Sequence, residues 1–307
     1  MARFVIVRLL QACVALVGIT IIVFFLVRTS GDPMQLIASP NMSPEQYERI
    51  KADLGLDKSW GTQLWIYIKD LAHGDLGSSL VRDKPVIKMI RESLPNTLKL
   101  TVPSFAISMI LAFFLGIMAA TYRDSWWDNG IKFVAVLGQS LPGFWVAIMA
   151  VLVISVELHW LPSSGMSSPD RYILPVGTMV FFMLPGMMRL VRSSMLDVLD
   201  SEYIKLARIK GLPERVVIWK HALRNALITP LTTLGMIIPG LVLGAVITEQ
   251  IFNWPGMGVM IVQSTFERDF PVVQAITILT ALLVLGINLL VDISYAYVDP
   301  QIRFQRT

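Results

Sequence analysis

The 307-residue chain is short of charged residues and of cysteine. Only 16% of its residues are Asp, Glu, Lys or Arg, whereas soluble domains average about 25%. The net charge of +4 is too small to predict a nucleic-acid-binding surface. The single cysteine, Cys13, excludes an intrachain disulfide, and its apolar neighbours disfavour a reactive thiolate. The shortage of charge points to lipid surroundings, where a lone cysteine in an apolar run is a packing residue.

The familiar motifs of catalysis are also missing. No glycine-rich stretch ends in Gly-Lys-Ser/Thr, so nothing in the chain is expected to hold ATP phosphates, and no His-Glu-x-x-His pair is present for zinc. His159 lies near Ser163 and Ser164, which is the one hint of an intramembrane serine hydrolase. Because there is no Gly-x-Ser-x-Gly turn and no acidic third member, we interpret this as coincidence. We expect a non-catalytic chain that binds no cofactor.

Long apolar runs account for much of the sequence, since 54% of the residues are hydrophobic. A helix needs about 20 apolar residues to cross about 30 Å of hydrocarbon. Six segments meet that length: 9–27, 100–120, 131–156, 173–191, 226–248 and 272–298. We interpret the first as an uncleaved anchor, because its apolar stretch is too long for a signal peptide. The sequence predicts an all-α integral membrane protein with six transmembrane helices.

Basic residues predict how these spans are oriented. Short cytoplasmic connections carry more Lys and Arg than external ones. In a six-span arrangement the termini and connections of one side carry fourteen of them: Arg3, Arg8, Arg123, Lys132, Arg189, Arg192, Lys205, Arg208, Lys210, Arg215, Lys220, Arg224, Arg303 and Arg306. The segment 30–96 on the other side mixes both signs, but it is long, and long segments translocate largely regardless of charge. The two short connections on the other side hold only Arg171 and Arg268. Both termini are therefore predicted to be cytoplasmic.

The predicted organisation has three parts: an N-terminal transmembrane helix at 1–29, a periplasmic segment at 30–96 and a five-helix core at 97–307. The external segment begins with a short predicted helix, since Ser43 is suited to the N-cap, Pro44 to the first helical position and Gly55 to the stop. A second apolar-periodic stretch follows at 64–71. We expect this segment to be a small folded domain.

Helix breakers and one acidic residue lie inside the predicted spans. Pro-Gly pairs at 142–143, 185–186 and 239–240, with Pro230, predict kinked helices, although proline and glycine are generally more frequent in membrane helices. Asp292 lies inside the last span. We favour a structural role for it, as partner of a basic residue on another helix, over a proton or ion site.

The connection between the fourth and fifth spans predicts a short helix over residues 202–210. Ser201 is suited to cap its start, Gly211 offers a left-handed stop and Pro213 lies just beyond. A short helix outside the bundle has little stability of its own. It therefore either binds a partner or presents solvated charge at Lys205, Arg208 and Lys210.

These residues resemble a known signature. The run Glu202-Tyr203-x-Lys205-x-Ala207-Arg208-x-Lys210-Gly211-Leu212, followed by His221-Ala222-Leu223-Arg224-Asn225-Ala226, is similar to the cytoplasmic signature of binding-protein-dependent ABC importer permeases, in the dipeptide/oligopeptide/nickel branch. Further stretches resemble the B-type subunit of that branch at 31–33, 54–57, 74–79, 252–258, 268–274, 288–292 and 299–303. Lys205-Leu206-Ala207 stands where the general pattern has Glu-Ala-Ala, so a glutamate-specific ATPase contact is not implied.

The resemblance implies a type I ABC importer (MetI-like) permease fold in the bacterial inner membrane, with membrane lipid around it. It implies a second, related permease subunit, a periplasmic or lipid-anchored solute-binding protein and two ATPase subunits, which would bind ATP and Mg. The ATPases would dock on a coupling helix at about 201–213, whose site residues would be Glu202, Tyr203, Lys205, Ala207, Arg208, Lys210, Gly211 and Leu212. No nucleic-acid partner is implied.

The resemblance leaves the cargo open among dipeptides or oligopeptides, glutathione, a nickel chelate and oligosaccharides. On the outer side, Asn253, Trp254, Pro255 and Gly256 are candidates for a gate or a binding-protein contact, and a re-entrant packing turn is the alternative. A stand-alone channel or ion-coupled carrier is the alternative from a different class. The predicted coupling helix and the lack of a charge relay inside the spans disfavour it.

Overall fold

A computed structural model describes residues 2–31, Met34 and residues 42–53 and 55–298. The side chain of Asp292 and the tail residues 299–307, with the signature stretch 299–303, lie outside this description. The described part is helical, with one isolated β-bridge between Ser78 and Pro85. The expected all-α class is confirmed.

The helices are numbered in chain order. The N-terminal ones are α1 Ala2–Ser30, α2 Pro44–Asp53, α3 Trp60–Ala72, α4 Val86–Thr121 and α5 Trp126–Ser140. Next come α6 Gly143–Ala150 with a π-helical extension Val151–Glu157, α7 Ile173–Leu199 and α8 Glu202–Ile209. The remainder are α9 Glu214–Val216, a π-helical segment Val217–Ala222, α10 Leu223–Ala226, α11 Ile228–Ile251, α12 Met257–Phe266 and α13 Phe270–Val298.

Four helical stretches are long and apolar enough to cross a membrane. They are Val5–Ser30, Val86–Thr121, Pro169–Leu199 and Phe270–Val291, and α5 with the α6 segment can count as a fifth, bent span. The backbone of α11 is helical over 24 residues where the fifth span was predicted. Most side chains at 231–244 lie outside the description. Four or five spans are thus supported by length and composition among the described residues.

The predicted third span, 131–156, is not one helix. Helix α5 ends at Ser140, Leu141 and Pro142 are extended, and the chain resumes as α6 after a 99° bend. Proline lacks a donor N–H and disfavours helical geometry in the residue before it, which explains the break. Pro185, by contrast, lies inside the 27-residue helix α7. A proline therefore breaks one predicted span and is accommodated in another.

Contacts within the chain define two compact units. One comprises Met1–Asn96 with Gly256–Leu289, and the other comprises Thr97–Pro255 with Leu290–Thr307. The largest buried cluster of the second unit joins α4, α5, α7, α8 and the π-helical segment. There Gly116 allows close packing, since an added Cβ would lie 2.8 Å from Val191. The three-part division expected from the sequence stays a prediction.

The first unit contains the predicted external helices. Gln46 N–H donates to the Ser43 hydroxyl, and the Gln46 side chain accepts from Ser43 N–H, which makes a capping box. Gly55 follows with φ +64°. The predicted start and stop of this helix are confirmed.

A buried carboxylate joins two loops of the same unit. Asp269 is fully buried, accepts from the Ser79 hydroxyl and accepts from Leu80 N–H at 3.0 Å. Arg82 adds an ion pair to Glu267 at 2.8 Å. Two stretches that carry the sequence resemblance, 74–79 and 268–274, therefore meet in space.

Candidate functional site

The predicted coupling helix is present as α8, and its start differs in detail from the prediction. Ser201 has the extended backbone of an N-cap, but its hydroxyl donates to the Val198 carbonyl and makes no capping bond. Helix α7 ends only two residues earlier, at Leu199, and its last carbonyls lack helical partners. These carbonyls compete for the hydroxyl, so the predicted side-chain cap is wrong while the predicted start is right.

The predicted stop of α8 is confirmed. Gly211 has φ +74°, its N–H donates to the Arg208 carbonyl at 2.9 Å, and Leu212 N–H donates to the Ala207 carbonyl at 3.3 Å. This pair of bonds is a Schellman motif, in which a left-handed glycine closes the helix. No atom lies within 4 Å of a Cβ built on Gly211. The glycine is therefore required by its backbone conformation and not by crowding within the chain.

An ion pair stabilises the turn that follows α8. The Arg208 guanidinium donates to both carboxylate oxygens of Glu214, at 2.7 and 3.2 Å. These hydrogen bonds hold the pKa of the Glu214 carboxyl below its ordinary value. A two-pronged contact of this kind fixes orientation as well as distance. It spans Pro213 and so sets the direction in which the chain leaves α8.

Helix α8 has an apolar face on each side. Ile204 and Ala207 are buried, in the cluster that also contains Leu199 of α7 and Val217 of the π-helical segment. On the other side three apolar side chains are exposed at a spacing of three residues: Tyr203 at 44%, Leu206 at 53% and Ile209 at 82%. We call these three residues the outer stripe. Exposed apolar residues in a row mark a surface for a partner rather than for water.

The two halves of the signature are in contact. Asn225 of α10 donates from its side-chain amide to the Tyr203 hydroxyl at 2.7 Å. Between them the chain forms a π-helical turn, Val217–Ala222, which buries Val217 and Ala222 beside α8. Wide turns of this kind occur frequently at functional sites. Neither the hydrogen bond between Asn225 and Tyr203 nor the π-helical turn has a signal in the local sequence.

The turn at residues 253–256 is built mainly by packing. Trp254 is fully buried and lies edge-on to Tyr172, with ring centroids 4.7 Å apart. The backbone N–H of Trp254 donates to the Glu249 carbonyl at 2.8 Å. Asn253 and Pro255 are exposed, whereas Gly256 is buried. A gate or a binding-protein contact at this turn stays a prediction.

The remaining candidates for chemistry are not brought together. Among the described residues no group of three or more His, Cys, Asp or Glu side chains forms a possible metal site. Cys13 is exposed and unbonded on α1. The predicted docking residues from Glu202 to Leu212, in contrast, occupy one continuous helix and its stop. Helix α8 with its exposed outer stripe is therefore the candidate functional site.

Comparisons with known proteins identify the family of the chain. Two family models together match most of the chain: "Binding-protein-dependent transport system inner membrane component" at residues 112–304, and the N-terminal component of the same kind of system at residues 1–101. A crystal structure of an amino acid ABC transporter has a TM-score of 0.55 and 15% identity, and covers 69% of this chain and 94% of that chain. It supports the fold alone.

Full-length relatives are considerably more similar. A Brucella abortus protein named for a peptide transport system permease is 41% identical, covering 99% of this chain and 100% of that protein. The oligopeptide transport system permease protein AppB of Bacillus subtilis is 38% identical over 99% of this chain and 100% of its own length. The glutathione transport system permease protein GsiC of Escherichia coli is 39% identical over the same shares. The chain belongs to the family of binding-protein-dependent inner membrane permeases, the membrane subunits of ABC importers.

Proposed function

We propose that this chain is one permease subunit of an ATP-driven importer of short peptides, with α8 as the helix on which an ATPase subunit docks. The outer stripe is the observation that carries the proposal, because the same helix is fixed on its other side by buried Ile204 and Ala207. A short helix that is packed against the chain on one side and exposes apolar residues on the other is suited to bind a partner and to transmit its movement. No phosphate-binding motif occurs in the chain, so ATP and Mg belong to separate ATPase subunits.

The cargo is inferred from the relatives. Two full-length relatives are named for oligopeptide and for glutathione transport. Both cargoes are short peptides, and glutathione is the smaller one. We therefore favour peptides over nickel chelates and oligosaccharides. Delivery requires a solute-binding protein, and a second, related permease completes the path across the membrane.

The same proposal accounts for how force reaches the spans. Helix α8 follows α7 after a two-residue break and shares its buried cluster. When ATP brings the two ATPases together, α8 moves with its ATPase and displaces the cytoplasmic half of α7. The permease pair then rocks between inward-facing and outward-facing states, in the manner of other domain-rotation transporters. In the turn at residues 253–256, the exposed Asn253 and Pro255 are available to contact the binding protein, while the buried Trp254 anchors the turn.

Purification tests the proposed function. When the chain is purified from its native membrane in mild detergent, two ATPases, a sister permease and a binding protein are expected to co-purify with it. Mass spectrometry of the small molecules released from the binding protein is expected to find short peptides. The same partners with a metal chelate or a sugar would keep the importer and change its cargo. A chain that arrives without an ATPase would contradict the proposal.

Six spans with both termini inside make a testable topology. In a Cys13→Ser background, cysteines placed at Ser167 and Arg123 are expected to react with an impermeant maleimide from opposite sides of the membrane. Both positions are exposed, which makes the reagent's access comparable. Only Ser167→Cys is expected to be labelled in intact cells, and both variants after permeabilisation. Labelling of the two from the same side would contradict the topology.

A further inference from the structure

A buried carboxylate clamps two helices of the second unit together. Asp128, in the first turn of α5, has no exposed surface. Its two oxygens accept from Arg192 Nε at 2.7 Å and Nη2 at 2.9 Å. Lys132 Nζ lies 2.7 Å from Oδ2, and Asp124 N–H donates to the same oxygen at 3.0 Å. The carboxylate is thus fully hydrogen-bonded, as a buried charge requires.

The position of the clamp relates it to the coupling helix. Arg192 lies on α7, seven residues before this helix ends at Leu199. At 1.5 Å per residue that is about 10 Å. Leu199 and Ile204 of α8 share one buried cluster, so the end of α7 and the coupling helix are packed as a unit. The clamp holds that unit to α5.

Helix α5 also contacts α7 at its proline. An added Cβ on Gly138 would overlap Cγ of Pro185, so the Pro185 ring packs directly on the backbone of α5 at this glycine. Proline removes one backbone hydrogen bond and makes the middle of α7 a place where the helix bends easily. Residues 188 and 191 of α7 and residues 131 and 135 of α5 share the buried cluster between the two contacts. Helix α5 therefore packs along α7 from Pro185 to Arg192 and resists bending of this part of α7.

We propose that Asp128 is a positioning residue for transport: it fixes the cytoplasmic half of α7 to α5, so that a displacement of α8 moves both helices instead of bending α7 at Pro185. This inference rests on the proposed function, because it assumes that an ATPase moves α8. Without the clamp, ATPase binding and hydrolysis continue, and part of the displacement is lost as bending. The clamp thereby sets how much transport each hydrolysis event produces.

The test uses the assembled complex in proteoliposomes and measures peptide transported per ATP hydrolysed. Asp128→Asn removes the charge that Arg192 binds, and Arg192→Lys keeps a positive charge while losing the two-pronged geometry. Both are expected to assemble with ATPases and to lower transport per ATP by roughly two- to thirtyfold. The loss is expected to be smaller for Arg192→Lys. A purely structural defect would lower the amount of complex and leave this ratio unchanged.

Arg123→Gln is the matched control. Arg123 contacts Asp124 and Asp200 at 3.5 Å, and all three side chains are exposed. Exposed pairs contribute little, so the ratio is expected to stay at the wild-type value. An unchanged ratio in both clamp variants, an equal fall in Arg123→Gln, or failure of both clamp variants to assemble would overturn the proposal. A wild-type complex without ATPases would instead contradict the proposed function, so the two failures are distinguishable.

Discussion

Replacing Leu206 and Ile209 together with glutamate is expected to remove the ATPase subunits from the purified complex and to leave the chain folded in the membrane. The two side chains are 53% and 82% exposed, so the change breaks no packing within the chain. Exposed substitutions usually alter stability by about 0.5 kcal/mol or less. Losing an apolar residue that dominates an interface costs about 2 kcal/mol or more, and burying an unpaired charge in its place adds a further penalty. One such loss is already about thirtyfold in affinity.

The control for this variant lies on the same helix. Lys205→Gln with Lys210→Gln also changes two exposed residues of the α8 region, but removes charge instead of apolar surface. ATPase co-purification is expected to fall by less than about threefold, as for charges at the rim of an interface. If the lysine variant lost the ATPases and the glutamate variant kept them, docking would depend on solvated charge and the outer stripe would have no role.

Gly211→Val is expected to weaken ATPase association by about tenfold, since 1.4 kcal/mol corresponds to a factor of ten. The left-handed backbone at φ +74° costs an ordinary residue about 1–2 kcal/mol, and a β-branched residue is an outlier there. The chain then leaves the left-handed conformation, and the Schellman bonds to Ala207 and Arg208 are lost. Leu212 and the turn braced by Arg208 and Glu214 are no longer held in position. Pull-down of the ATPases with equal amounts of inserted chain measures the effect.

Gly211→Asn separates backbone strain from side-chain bulk. Asparagine tolerates the left-handed conformation better than other non-glycine residues, and the space around Gly211 is open. This variant is expected to retain most of the ATPase. Equal losses for Val and Asn would mean that a partner approaches the glycine closely and that any side chain is excluded. No loss for Val would contradict the importance of the helix stop.

Local signals in the sequence predicted much of this structure. Apolar runs predicted the long helices because lipid leaves few alternatives for a backbone. Gly211 predicted the end of α8, since a left-handed stop depends on one residue and its near neighbours. The N-cap at Ser43 followed for the same reason. Structural features that depend on a few consecutive residues can therefore be predicted from the sequence.

What the sequence did not reveal depends on residues far apart in the chain. The clamp joins Asp128 to Arg192 across 64 positions, and before the structure Arg192 was only one of many cytoplasmic basic residues. Ser201 was assigned a cap that a carbonyl of the preceding helix takes away. The break at Pro142 was expected as a kink, whereas Pro185, also expected as a kink, lies inside a continuous helix.

The most direct test of the central claim is peptide uptake by proteoliposomes that contain this chain with its sister permease and two ATPases. Vesicles are loaded with ATP and Mg²⁺, and the binding protein with a radiolabelled peptide is added outside. We predict uptake that requires internal ATP, is absent with ADP and is abolished by the Leu206→Glu, Ile209→Glu variant. Uptake at the same rate without ATP would contradict the account and identify the chain as a channel or an ion-coupled carrier.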